Sequence, residues 1–170
     1  MNKPTLLALT CGVLLAGAMP ARSDEADLAV PDGAPPLLQV IADGVQIYVC
    51  EAKEGGGAWA FKAPEAALFD REGRQVGTHF AGPSWKLGDG STVVGEVVGK
   101  ADAAEPDAIP WLLLRAKSHE GAGVLAGAAF IRRIETEGGA APEAGCDAQH
   151  IAEEARMRYS AVYEFYGAAK

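Results

Sequence analysis

The sequence predicts a mostly β protein, an antiparallel barrel or sandwich with one short helix near the C-terminal part. Three observations predict it. Val45, Ile47 and Val49 alternate with Gln46, Tyr48 and Cys50, a period of two that gives an extended chain one buried face. Turn signals recur at short intervals, at Asp70-Arg71-Glu72-Gly73, Gly82-Pro83 and Asp89-Gly90, which suits about eight short strands. The 170 residues are 49% hydrophobic and 22% charged, enough for one sizeable core and unlike a disordered chain.

Taken in order, residues 1–23 read as a secretory signal peptide. Lys3 gives a positive start, Leu6 to Ala18 is almost wholly apolar, and Ala16-Gly17-Ala18 or Ala21-Arg22-Ser23 supplies a small-residue cleavage site. The apolar run is shorter than the roughly 18 residues needed to span a bilayer, and no later stretch is longer. Residues 24–36, acidic and rich in Pro, read as a flexible arm. A single β domain is expected over 37–170. Its strands are expected at 45–50, at 59–61 and 67–69 on either side of Pro64, and at 75–80. The Asp89-Gly90 hairpin signal precedes another at 92–98. Ile109 to Ala116 is bulky and apolar and reads as a central strand, and 130–136 follows. In the last strand, 159–166, Tyr159, Ala161, Tyr163 and Phe165 share one face. The one helix is expected over Asp147–Met157, with Asp147 as its N-cap.

Removal of Lys3 and Arg22 with the leader leaves thirteen basic residues against twenty-three acidic, a net charge of −10. That balance argues against nucleic-acid or anionic-lipid partners, which require basic patches. It leaves two cysteines, Cys50 and Cys146, in an exported and oxidising setting, where a disulfide is expected rather than free thiols or a metal pair. Periplasm and extracellular space share the same export signal.

Several motifs are distinctive. They are Trp59-x-Phe61-x-x-Pro64-Glu65-Ala66-x-Leu68, Gly77-Thr78-His79-Phe80-Ala81-Gly82-Pro83-Ser84-Trp85, and Asp89-Gly90-Ser91. Further along stand Ile109-Pro110-Trp111-Leu112-Leu113-Leu114, Thr136-x-Gly138-Gly139-x-Ala141-Pro142, Cys146-Asp147 and Tyr159-Ser160-Ala161. With these the chain resembles the secreted bacterial and fungal family called domain of unknown function 3455, over nearly the whole expected domain. The resemblance implies no established activity, although some fungal members carry a malate dehydrogenase label.

The residues do not support that label. Gly121-Ala122-Gly123-Val124-Leu125-Ala126 formally satisfies G-x-G-x-x-A. A dinucleotide site also needs a helix after the glycines and an acidic residue ending a second strand about 20 residues on. Residues 140–147 contain Pro142 and Gly145 and read as no strand, so no cofactor is expected. His79, His119 and His150 are too scattered to predict a metal site.

The reading that remains is an exported protein of unknown biochemical function that binds a small apolar or aromatic ligand, or another surface, through an aromatic-lined site. The candidate lining is His79, Trp85, Trp111, Trp59 and Tyr163. A cofactor-independent isomerase or hydrolase with His79 as acid–base group is the alternative. It requires a carboxylate within hydrogen-bond reach of His79 and an open cleft. A structural envelope protein is the third reading.

Overall fold

The computed structural model describes residues 27–170; the expected signal peptide lies outside the described residues. Eight antiparallel strands run up and down in chain order and close into a barrel in which β8 pairs with β1. They are β1 (Pro36–Lys53), β2 (Gly56–Phe69), β3 (Gln75–Phe80), β4 (Ser84–Leu87), β5 (Thr92–Ala101), β6 (Trp111–Glu120), β7 (Phe130–Gly138) and β8 (Glu154–Tyr166). Of the two β architectures expected, the chain forms the barrel.

Alternation sorts each strand into an inner and an outer face. In β8 the expected face, Tyr159, Ala161, Tyr163 and Phe165, is buried and points inward. In β1 the phase is the reverse of the simplest reading. Val40, Ala42, Gln46 and Tyr48 are buried inner residues; of the expected face Ile47 is buried, while Val45 and Val49 are only half-buried. Two polar residues of that strand, Gln46 and Tyr48, thus line the interior. In β2, Pro64 interrupts nothing, because it pairs with Gln46 within one continuous strand. The irregularity falls two residues earlier. Ile47 pairs with Ala63 and Tyr48 with Phe61, so Lys62 is left over as a bulge. Such a bulge shifts the alternation by one and re-aims the residues beyond it.

The expected helix over 147–157 does not form. Residues 147–152 are a chain of turns and β8 starts at Glu154; among the described residues the only helical turns are 3-10, as at Val124–Gly127. Asp147 does cap locally as expected of an Asp, but its carboxylate receives the Gln149 amide and the His150 ring in a turn. This segment is held across the barrel end by the disulfide, with Cys50 and Cys146 Cα atoms 5.3 Å apart. Ala152 and Glu153 bond back to the Cys50 backbone. A crosslinked segment whose backbone is already bonded to a neighbouring strand has no need of a helix's own hydrogen bonds.

Residues 27–35, expected within a mobile arm, lie against the barrel. Leu28 is 3% exposed and packs with Ala101 and Leu113, with Val30, Trp111 and Phe130 around them. This second, smaller core covers the outer face of β6. The unbroken apolar run of Trp111 to Leu114 is thereby explained: one face of β6 meets the barrel interior and the other meets the N-terminal segment.

The opposite end of the barrel is sealed. The loop after β6 turns back over it and inserts Leu125, which is fully buried. The Asp89 carboxylate fixes that loop from the β4–β5 hairpin, accepting bonds from the Ser91 amide and hydroxyl and from the Val124 amide. The G-x-G-x-x-A run is this plug. Its glycines are needed because a Cβ on Gly121 would stand 2.1 Å from the Gly90 carbonyl oxygen, and one on Gly123 would stand 2.4 Å from the Asp89 carboxylate.

The crosslink closes a loop of 96 residues, so replacing both cysteines by serine should lower stability by about 4–5 kcal/mol. Urea unfolding of the two forms measures it; equal midpoints would show that the barrel alone fixes the 139–152 segment.

Candidate functional site

The strands differ greatly in length, with 18 residues in β1 and 14 in β2 but only 6 in β3 and 4 in β4. On the β3–β4 side the wall is therefore low at the end away from the plug. There a cavity of about 510 Å³ enters the barrel. Exposed Phe61 and Val97 stand at its rim, 56% and 53% accessible, and Trp85, Leu114 and Tyr163, each 1% accessible, form its depth. An eight-stranded barrel is the size at which the interior either fills with side chains or holds one small ligand. This one is filled below Trp85 and leaves a cavity above it.

The floor is aromatic and its construction is visible in the register. His79 pairs directly with Trp85 across the β3–β4 hairpin, and such cross-strand neighbours stand close enough to interact. Their rings stack at 4.6 Å between centroids and 11° between planes. Tyr163 meets both, 5.0 Å from His79 and 5.3 Å from Trp85, and Phe165 closes on Trp85 edge-on at 5.9 Å. Gly95 makes room for this layer, since a Cβ there would touch Trp85 and Leu114 at 3.2 Å. The hairpin itself turns on Gly82, at φ +122°, with the Ser84 hydroxyl bonded to the Ala81 carbonyl.

The remaining wall is set by β7 and the connection before β6. Thr136 donates its hydroxyl to the Ile109 carbonyl at 2.6 Å. Arg133 donates from Nε and one Nη to the Pro110 carbonyl, at 3.0 and 2.7 Å. These three bonds hold Ile109 and Pro110 at the cavity. On the far side, Tyr48 donates to the Gly139 carbonyl at 2.6 Å and stands edge-on to Phe61.

His79 is 2% exposed, and its Nδ1 lies 2.8 Å from the Ser84 carbonyl oxygen. A carbonyl only accepts, so Nδ1 carries the proton and Nε2 is left as an acceptor. Burial drives the ring's pKa down to about 4, and the positive charge of Arg133 acts in the same direction against the Ser84 bond. The partner of His79 is thus a backbone carbonyl, and no Asp or Glu is among the residues lining the cavity. The acid–base alternative has no carboxylate here. The tyrosines are shifted the other way: burial raises Tyr48, Tyr159 and Tyr163, and Arg133 partly opposes it in each.

Of the sequence-predicted residues, the cavity brings together His79, Trp85 and Tyr163. Trp111 lies on the outer face of β6 beneath the N-terminal segment, and Trp59 pairs with Cys50 and donates its Nε1 to the Ala144 carbonyl. Neither lines the cavity. Gln46, Tyr48 and Arg133 do, and the sequence reading missed them. The signal was faint: Arg133 stands two residues after Ile131 on the inner face of β7, opposite Tyr163 in β8. The other histidines are spent locally, His119 on the Ala128 carbonyl and His150 on Asp147. Among the described residues no group of three or more His, Cys, Asp or Glu could hold a metal ion, and no helix is long and apolar enough to cross a membrane.

A family model described as protein of unknown function (DUF3455) matches residues 31–167. The chain belongs to the DUF3455 family. No curated protein and no solved structure matches it. The match takes in every strand of the barrel and both sulfurs of the disulfide, so the cavity of this DUF3455 protein lies wholly within the family's region.

The buried histidine gives a sign-definite pH dependence. The folded ring has its pKa near 4, below the ordinary value of 6.5, so between those values the unfolded chain binds the extra proton. Stability from neutral His79 is complete above pH 6.5 and drains as pH falls towards 4, by on the order of 3 kcal/mol. Urea unfolding at pH 7 and pH 4.5 should show a smaller loss in His79→Phe than in the unaltered protein; equal losses would mean that the ring is protonated in the fold.

Proposed function

We propose that this DUF3455 protein is an exported binding protein that takes a small apolar or aromatic molecule into the barrel cavity. The observation that carries this reading is the cavity itself: about 510 Å³, walled mainly by apolar and aromatic side chains with a few polar groups among them. Binding sites for small molecules have this size and this lining. His79, Trp85 and Tyr163 are its deep contacts and Phe61 and Val97 its entrance. Large exposed apolar side chains at the mouth of a pocket favour entry of a molecule that water disfavours. Export is supported by the disulfide, a bond that persists in oxidising compartments, and by the leader pattern of residues 1–23.

N-phenyl-1-naphthylamine, an uncharged dye that brightens on leaving water, is a direct probe. It should bind the purified protein saturably with one site, and tryptophan emission should fall as it does. Leu112→Trp fills the cavity from β6, where Leu112 lines it beside Arg133, and should weaken the dye at least tenfold while the thermal unfolding profile keeps its shape. Dye binding unchanged by Leu112→Trp would place the dye elsewhere and remove the reading.

A further inference from the structure

Two cationic side chains line the cavity, Lys62 and Arg133; Lys62 is paired with Glu154, and Arg133 has no acid to answer it. Arg133 takes part in none of the ion pairs among the described residues, whereas its neighbour Arg132 is bridged to Glu164. A guanidinium has five N–H donors, and two of those of Arg133 go to Pro110. The rest have no protein partner in hydrogen-bond geometry. Two further observations point the same way. Gln46, 2% exposed and lining the cavity, has its amide nitrogen unpartnered; the hydroxyls of Tyr159, next to it, and of Tyr163, the residue paired with Arg133 across β7 and β8, are unpartnered as well. Buried donors without acceptors are uncommon in folded proteins and costly when nothing answers them.

Resting on the reading of the cavity as a binding site, we propose that the molecule it takes is an amphiphile with an anionic head, a carboxylate, received by Arg133 with Gln46 and Tyr163 beside it. A carboxylate is acceptor-only and planar, matching both the unused donors and the guanidinium fork. An apolar body then lies on the His79–Trp85 stack and leads out past Phe61. The chain's surface is strongly acidic, so the charge of the whole molecule favours cations. A preference for anions must come from the cavity alone.

Displacement of N-phenyl-1-naphthylamine by three twelve-carbon competitors tests this: dodecanoate, dodecanol and dodecyltrimethylammonium at pH 7.5. In the unaltered protein dodecanoate should displace the dye at a concentration at least tenfold below that of the alcohol, and the cation should be weakest. Arg133→Gln should bring acid and alcohol within about twofold of each other, each displacement being converted to an affinity with the dye's own Kd measured for that variant. Arg133→Lys, which keeps the charge and loses the fork, should keep a reduced preference and decides the matter if Arg133→Gln does not fold. Dodecanol matching dodecanoate in the unaltered protein, or a preference untouched by both substitutions, overturns the anionic head and leaves the apolar site standing. A dye that never binds the unaltered protein overturns both.

Discussion

Closing eight strands into a ring forces every second residue inward, and the number of strands sets how much space those residues must share. Everything distinctive in this protein follows from how that space is divided. Trp85, Tyr163, Phe165, Leu68, Ile131 and Leu125 fill the plugged end to full burial. Above Trp85 the inward positions pass to Gln46, Tyr48, Arg133 and the ends of two loops, which leave a cavity. The change is made possible at the wall itself, where β3 and β4 are short and stop level with the His79–Trp85 pair.

The two ends are fixed by different chemistry. At the plug, one carboxylate does the fastening: Asp89 collects three donors from two segments, and glycines at 121 and 123 let the loop approach close enough for that. Hydrogen bonding by Ser91 and by the Val124 amide holds the Asp89 carboxyl below its usual range, so the charged form is the one that fastens. At the mouth, a covalent bond does the equivalent work. Cys50 and Cys146 hold the 139–152 segment over the β1–β2 hairpin, and a side chain on Gly57 would press on the two sulfurs at 2.9 and 3.1 Å. One end is thereby filled by buried side chains, and the other is framed rather than covered.

How much of this the sequence declared depends on whether local pattern or long-range pairing decides each element. The inner face of β8, the Asp89-Gly90 turn and the disulfide were all legible, because alternation, turn chemistry and cysteine parity are local or countable. The phase of β1 was not. Val45, Ile47 and Val49 look like the core face until β8 and β2 are in place, and only the cavity makes inward Gln46 and Tyr48 tolerable. The four-residue β4 has too few positions to show a period. Residues 147–157 carry an N-cap and an amphipathic spacing, but the crosslink and the pairing of β8 with β1 take their backbone first. Trp111 and Trp59 were placed in the site by their chemistry alone; alternation puts the first on the outer face, and the second lies beside the disulfide.

The polar groups of the cavity make one arrangement when considered by what each can still do. Tyr48 has given its proton to Gly139, and His79 has given its Nδ1 proton to Ser84. What these two present is acceptor capacity. Arg133, Gln46 and Tyr163 have donors left over. Because Arg133 lies opposite Tyr163 while His79 stacks on Trp85 from the neighbouring hairpin, donors and acceptors occupy different parts of one apolar enclosure. In water such a separation would mean little. In a site of low polarity each unanswered group weighs heavily, and burial, with a smaller push from Arg133, keeps His79 neutral. The outcome is one unpaired positive centre, Arg133, in an aromatic cup whose other lining cation, Lys62, is already paired with Glu154.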